Sequence, residues 1–334
     1  MSDWIIADRN AESLAPLCDL RATFEQRTGG RTTLDRKTIQ LGCPPVGFTT
    51  DDPRRATMIS ERTGLSYITD ESAADHSDTE VTTPWEILDH FPSLLKEDLE
   101  TAPETARPVQ GAIVGDFRVD VDPSATVFTG VVFDATVGAI RVEAGATIRP
   151  NAVLCGPCWI GKDSTIIDGA HIKANTSVGP NCKIGGEVGG TIIQGNTNKA
   201  HRGHLGDSVI GEWVNFGAGT TNSNLLNTYG EVIVTMLDGT RHRSNRQFVG
   251  CFVGDHAKFA IETRIMTGSV IGTGAMIAST QPAPSPTARF AWHTDTGTRT
   301  YRIDKFLDVA RTVMSRRDTL LLPATEAMLR ELAE

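Results

Sequence analysis

A repeat of six residues constrains this chain more than any other feature of its sequence. From Val142 to Ile184 every sixth residue is a branched aliphatic, and glycine follows directly at Gly161, Gly179 and Gly185. A period of six fits neither an amphipathic helix nor a simple alternating strand. The aliphatic residues in this phase are Val142, Ile148, Leu154, Ile160, Ile166, Ile172, Val178 and Ile184.

The period predicts a coil with three flat faces of six residues, about 18 residues per turn. One aliphatic side chain on each face points inward and packs only against its equivalents in the coils above and below, as in a parallel β-helix. The phase returns at Ile210, Phe216 and Val253 and continues to Ile277. The predicted fold class is therefore mainly β.

Two segments interrupt the repeat, residues 186–204 and residues 223–252. In the second, Asp238-Gly239 separates an alternating apolar run from a polar strand, a pattern that predicts a β-hairpin. Loops that protrude from a solenoid often carry its binding surface, because the coils hold them rigidly. We therefore expect functional residues in these interruptions.

The two ends of the chain differ from the repeat, and they predict three domains. Residues 1–107 form a small α/β domain, with a helix over 83–100 that follows a Thr cap and an acidic loop over 70–80. Residues 108–282 form the β-helix. Residues 283–334 form a C-terminal extension whose helices are expected to cover the open end of the coil.

Charge and composition exclude several classes of protein. A net charge of -9 disfavours a general nucleic-acid binder, and no apolar run approaches the roughly 18 residues of a membrane span. The start of the chain, MSDWIIADRN, has no secretory signal pattern, so we expect a reducing cytoplasm. Cys155 and Cys158 lack a second Cys or His pair, which favours small residues at a repeat corner over a zinc or redox site.

Three stretches carry a resemblance to a known family: residues 196–224 (NTNKAHRGHLGDSVIGEWVNFGAGTTNSN), 248–272 and 301–317. Residues 150–317 as a whole resemble the acetyltransferase half of the bifunctional N-acetylglucosamine-1-phosphate uridyltransferase / glucosamine-1-phosphate acetyltransferase enzymes and of their sugar nucleotidyltransferase relatives. The resemblance implies a left-handed β-helix, a homotrimer with active sites between subunits, and acetyl-CoA as the acyl donor.

The same resemblance implies that His201 is the catalytic base. The family motif has a histidine six residues before the Asp of its LGD turn, and His201 stands at that distance from Asp207. Acyl transfer from a thioester to an amine needs a proton acceptor, and an imidazole with a pKa near ~6.5 suits this task around neutral pH. A structural role in the loop and a metal site are the alternatives for His201.

Several neighbouring residues are predicted to bind the acceptor. Asn215 and Asn224 match substrate-contacting asparagines of the motif, while Lys199 and Arg202 are suggested by residue type and position as sugar-phosphate ligands. His204 stands where the family has a substrate-binding tyrosine.

The sequence also departs from the family at three further positions. A second tyrosine of the motif is replaced by Leu225, and two lysines are replaced by Gly189 and Gly230. Because these groups bind the acceptor, the predicted acceptor is broader than glucosamine 1-phosphate. We expect an amino sugar phosphate or a nucleotide sugar.

The remaining predictions concern the donor and the N-terminal domain. Arg289, Arg299 and Arg302 are candidate ligands of the CoA phosphates. Residues 1–107 resemble a truncated nucleotidyltransferase domain without the phosphate loop of working enzymes. Two alternatives to acyl transfer remain. One is Mg-dependent nucleotidyl transfer, for which Arg21, Arg27 and Arg31 would bind phosphates; the other is a non-catalytic sugar-nucleotide-binding protein.

Overall fold

The computed structural model describes residues 4–69, 81–104 and 110–334. The N-terminal part contains a three-stranded parallel sheet in the order β1-β2-β3, surrounded by short helices. In the described ranges no helix is both long and apolar enough to cross a bilayer. The elements of this part are β1 (Ile5–Asp8), α1 (Thr33–Leu41), β2 (Gly47–Thr50), α2 (Ala56–Thr63), β3 (Ser66–Tyr67) and α3 (Pro84–Glu100), with single 3-10 turns at Thr23–Glu25 and Pro53–Arg55.

The rest of the chain winds through many short strands. Two helices, α4 (Ile303–Ser315) and α5 (Pro323–Glu331), follow them. The strands are β4 (Ala112–Val114), β5 (Val119–Val121), β6 (Thr126–Val127), β7 (Val132–Asp134), β8 (Ile140–Val142), β9 (Thr147–Ile148), β10 (Val153–Cys155), β11 (Cys158–Ile160), β12 (Thr165–Ile166), β13 (His171–Ile172), β14 (Thr176–Val178), β15 (Lys183–Ile184), β16 (Glu187–Gly189), β17 (Ile192–Gly195), β18 (Asn198–Lys199), β19 (His204–Gly206), β20 (Val209–Glu212), β21 (Asn215–Phe216), β22 (Thr221–Asn222), β23 (Ile233–Thr235), β24 (Arg241–Arg243), β25 (Cys251–Val253), β26 (Lys258–Phe259), β27 (Arg264–Ile265), β28 (Ser269–Ile271), β29 (Met276–Ala278), β30 (Ala291–Thr294) and β31 (Gly297–Thr300).

Successive strands belong in turn to three long sheets, which form the three faces of a parallel β-helix. The first sheet runs β4-β7-β10-β13-β16-β19, and the second runs β5-β8-β11-β14-β17-β20-β25-β28. The third runs β6-β9-β12-β15-β18-β21-β26-β29 and ends in β30 and the antiparallel β31. The prediction of a mainly β chain that folds as a parallel β-helix is confirmed.

The inward aliphatic column is the core of this fold. All eight residues from Val142 to Ile184 that share the phase of six are 0% exposed. The parallel register places Leu154 opposite Ile172 and Ile166 opposite Ile184, so each aliphatic side chain stacks on its equivalent in the next coil. Burial of this column supplies the main driving force for stacking of the coils.

The N-terminal part covers the outer face of the second sheet. Trp159, Ile192, Val209, Phe252 and Val270 point outward from this sheet and are nevertheless buried. The helix predicted over 83–100 is present as α3, and its apolar side chains pack on this row. The second sheet is therefore buried on both faces.

Buried polar contacts reinforce this docking. Arg21, 1% exposed, pairs with Asp255 of the β-helix at 2.5 Å, and the backbone N–H of Arg27 donates to the side chain of Gln194 at 2.7 Å. Arg31 pairs with Asp98 and lies over the ring of Trp159. The prediction that Arg21 binds a nucleotide phosphate is corrected, because its guanidinium is buried against Asp255. For Arg27 and Arg31, phosphate binding stays a prediction.

The remaining predictions about the fold have separate outcomes. The hairpin of β23 and β24 forms around Asp238-Gly239, as predicted. Helix α4 packs against the last coils through Phe306, and both α4 and α5 complete the apolar core of the N-terminal part. The predicted acidic loop over 70–80 and the boundary at 107/108 lie outside the described residues, and the domain limits stay a prediction.

Candidate active site

A row of polar side chains stands on the outer face of the first sheet. The register of β13, β16 and β19 places His171, Glu187 and His204 opposite one another in successive coils. Nδ1 of His204 lies 3.3 Å from Oε1 of Glu187. A histidine whose Nδ1 is held by a carboxylate presents Nε2 in a fixed direction, an arrangement that suits a proton acceptor.

Lys173 places a positive charge beside the Glu187 carboxylate of this row. Its ammonium donates to Oε1 of Glu187 at 3.1 Å from the neighbouring coil. The hydrogen bond from Lys173 lowers the pKa of the Glu187 carboxyl, and the nearby histidines lower it further. Glu187 therefore stays ionised at neutral pH and can accept a hydrogen bond from Nδ1 of His204.

Asn224 reaches the same place from the second interruption of the repeat. A Cβ on Gly206 would lie 2.5 Å from Nε2 of His204 and 2.9 Å from Nδ2 of Asn224, so both side chains converge above this glycine. Asn224 donates to Asp207 at 2.6 Å. Asn222, which the sequence does not single out, is buried and forms two hydrogen bonds with the backbone of Gly206. Its Oδ1 accepts from the Gly206 N–H and its Nδ2 donates to the Gly206 carbonyl, both at 2.9 Å.

His201 lies at the exposed corner between β18 and β19. Within the described ranges, neither the side chains nor the backbone form a hydrogen bond with its ring. The neighbouring Arg202 is 78% exposed and forms an ion pair with Glu262, which is 57% exposed. The predicted base is thus accessible and unrestrained within one chain, whereas its neighbour His204 is held in place.

Lys199 lies inside the coil and not on its outer face. It is 2% exposed, and its Nζ donates to the carbonyls of Gly185 at 2.9 Å and His201 at 2.7 Å. Burial lowers the pKa of this ammonium to about 8. The prediction that Lys199 binds a sugar phosphate needs correction, because its donors are directed at the backbone of the histidine loop.

The other predicted ligands lie on other faces. Asn215 is exposed on the third sheet, in register with Asn198 and Lys258, and not beside His204. The structure therefore groups Asn224 and His204 but separates Asn215 from them.

The three arginines proposed for CoA lie near the C-terminal end of the coil. Arg289 forms two hydrogen bonds with the buried Asp19, at 2.7 and 2.8 Å. Arg299 stacks on Trp292 at 4.4 Å from the ring centre, and Arg302 is exposed just before α4. β30 is four strands from β18 in the third sheet, a separation of roughly 19 Å at about 4.8 Å per strand.

Cys155 and Cys158 flank a corner, as predicted. Cys155 ends β10 and Cys158 begins β11, and both thiols are free. Burial raises the pKa of the Cys158 thiol far above its usual range, which makes this group a poor nucleophile.

A separate cleft of about 1100 Å³ lies between the N-terminal part, the β23-β24 hairpin and the C-terminal helix. Asp51, Asp52 and Glu12 line it, together with Arg55 and Arg289, which already pair with Asp8 and Asp19. A lining rich in carboxylates does not favour a nucleoside triphosphate.

Comparison with curated proteins supports the motif. The chain is 29% identical over 202 residues to the bifunctional protein GlmU of Methanococcus aeolicus. The aligned region covers 60% of this chain and 43% of that protein. It is 37% identical over 142 residues to a bifunctional sugar-1-phosphate nucleotidylyltransferase/acetyltransferase of Sulfurisphaera tokodaii, 42% of this chain and 35% of that protein. The predicted resemblance is confirmed. The chain spans less than half the length of these two relatives.

Two other comparisons add less. No protein-family model matches the chain. Among solved structures, a single-residue mutant of perosamine N-acetyltransferase from Caulobacter crescentus, in complex with CoA and GDP-perosamine, is 12% identical and covers 90% of this chain and 96% of that one. Its TM-score is 0.15, which is too low to transfer any feature of its site.

Proposed function

We propose that this protein transfers an acetyl group from acetyl-CoA to the amine of an amino sugar phosphate or a nucleotide sugar. The observation that carries the proposal is the histidine loop on the β-helix: His201 at its exposed corner, and His204 beside Glu187 and Asn224 at its base. The names of the curated relatives, which include acetyltransferase, support the same reaction class.

The reaction needs one proton acceptor and one stabilised oxyanion. The acceptor amine attacks the thioester carbonyl while a histidine nitrogen takes its proton. Collapse of the tetrahedral intermediate then breaks the C–S bond, and the histidine gives this proton to the departing sulfur, so that CoA leaves as the thiol. His201 is the proposed base from its place in the motif, and the glycine-rich turns offer backbone N–H groups to the oxyanion.

We further propose a homotrimer with its active sites between subunits. Within one chain the ring of His201 faces no orienting group among the described residues, so a partner subunit is the proposed source of that group. Ile261 is 70% exposed and Met266 51% exposed in the segment that contains Glu262, and exposed apolar side chains beside a site are typical of an interface.

Paired alanine variants test the assignment of the base. His201→Ala is expected to lower kcat by about 10²- to 10⁴-fold, the usual contribution of a general base. His204→Ala is expected to raise the KM of the acceptor, as loss of a substrate contact does. The reverse result would make the His204–Glu187 pair the base, and binding of nucleotide sugar without turnover would favour a non-catalytic protein.

A further inference from the structure

Lys199 occupies a position that the repeat gives to an aliphatic residue. The inward column of the third sheet runs Ile148, Ile166, Ile184, each opposite the next, and the register then places Lys199 opposite Ile184. A lysine that is 2% exposed in such a column is costly, since a buried ammonium loses its hydration. Its presence needs a reason beyond packing.

The contacts of the ammonium supply that reason. Nζ donates to the carbonyl of Gly185 at 2.9 Å, which belongs to the coil below, and to the carbonyl of His201 at 2.7 Å. The ammonium thus joins a rigid coil to the backbone of the residue proposed as the base. Among the described residues, the other polar contacts of loop residues 200–203 are the long hydrogen bond from the Glu187 N–H to the Gly203 carbonyl, at 3.3 Å, and the exposed ion pair of Arg202 with Glu262.

We infer that Lys199 is a positioning residue, which holds the His201 backbone from inside the coil and so fixes the point from which the imidazole projects. This inference rests on the proposed function. Lys199 does not touch substrate in this account, so its loss affects the chemical step more than binding. A misplacement of a catalytic group by about 1 Å can cost about 10²-fold in rate.

The variant Lys199→Met tests the role, because it keeps an unbranched apolar stem and removes only the donors. We expect kcat to fall roughly 10- to 100-fold with the KM of acetyl-CoA unchanged. Lys199→Arg, which keeps donors at this position, is expected to retain more of kcat than Lys199→Met. Ile166→Val is the matched control: it alters the same column two strands away, at a residue that is 0% exposed, and leaves kcat unchanged.

Backbone amide exchange, measured by mass spectrometry, reads the same contact without any substrate. Lys199→Met is expected to speed exchange in peptides covering residues 200–204 but not in those covering residues 171–178. An unchanged kcat in a folded Lys199→Met protein would overturn the inference and leave the acetyltransferase proposal intact. Absence of turnover in the wild type would defeat the proposed function. In that case the exchange measurement alone tests the role of Lys199, and unchanged exchange at residues 200–204 would overturn that role.

Discussion

The buried ion pair between Arg21 and Asp255 predicts a large and specific loss of stability when it is broken. Both side chains are at most 2% exposed, Nη2 of Arg21 lies 2.5 Å from Oδ1 of Asp255, and Glu212 lies 3.8 Å away. Arg21→Met leaves Asp255 buried with the backbone N–H of Glu212 as its remaining donor. Removing one partner of such a pair costs about 3–5 kcal/mol, a large share of the about 5–15 kcal/mol that stabilises a typical protein.

The assay is the midpoint of urea unfolding, followed by tryptophan fluorescence, for Arg21→Met and for the control Arg54→Met. Arg54 also contacts two carboxylates, Asp52 at 2.8 Å and Glu331 at 3.2 Å, but it is 71% exposed. Exposed pairs contribute about 0–1 kcal/mol, so the control is expected to unfold close to wild type. The double variant Arg21→Met/Asp255→Asn is expected to recover part of the loss, because no unpaired charge stays buried. Equal midpoints for Arg21→Met and Arg54→Met would refute the reasoning.

Three further predictions follow from single sites. Ile172→Ala, at a fully buried residue of the column, is expected to cost about 2–5 kcal/mol in thermal unfolding, whereas a loss under about 1 kcal/mol would contradict the packing. Gly206→Ala would bring a methyl group to 2.5 Å from Nε2 of His204, so turnover is expected to fall while the melting temperature holds; full turnover would place that ring elsewhere. The pKa of Lys199 is lowered by burial from 10.5 to about 8, so between these values only the unfolded chain holds the proton. The stability of wild type relative to Lys199→Met should therefore rise with pH in that window, by at most about 1.4 kcal/mol per pH unit, and a flat difference in urea titrations would show that burial does not lower this pKa.

The core of the β-helix could be predicted from sequence because its signal is local and periodic. From Val142 to Ile184 each inward residue stacks on the one 18 positions further along the chain, as Leu154 does on Ile172. The spacing of the aliphatic residues therefore predicts which residues pair in neighbouring coils. The phase was lost where one coil shortens: Lys199 follows its partner Ile184 by 15 residues and not by 18. A count in steps of six from Ile184 therefore passes over Lys199 and gives no sign that it faces inward.

Contacts between distant segments left no such signal. Arg21 and Asp255 are separated by 234 positions, and no local sequence pattern around either residue indicates that the two side chains pair. Phosphate binding by Arg21 is a wrong prediction because composition cannot distinguish a guanidinium that binds a ligand from one that binds a carboxylate. The role of Glu187 was missed for a similar reason, since its partners Lys173 and His204 come from the adjacent coils.

Thiol release from acetyl-CoA is the most direct test of the central claim. Wild type and His201→Ala are compared with a panel of amino sugar phosphates and nucleotide sugars, and size-exclusion chromatography with light scattering verifies that both assemble as trimers. The account predicts acceptor-dependent thiol release by the wild type that falls by about 10²-fold or more in His201→Ala. A folded wild-type trimer that releases no thiol with any of these acceptors would contradict it.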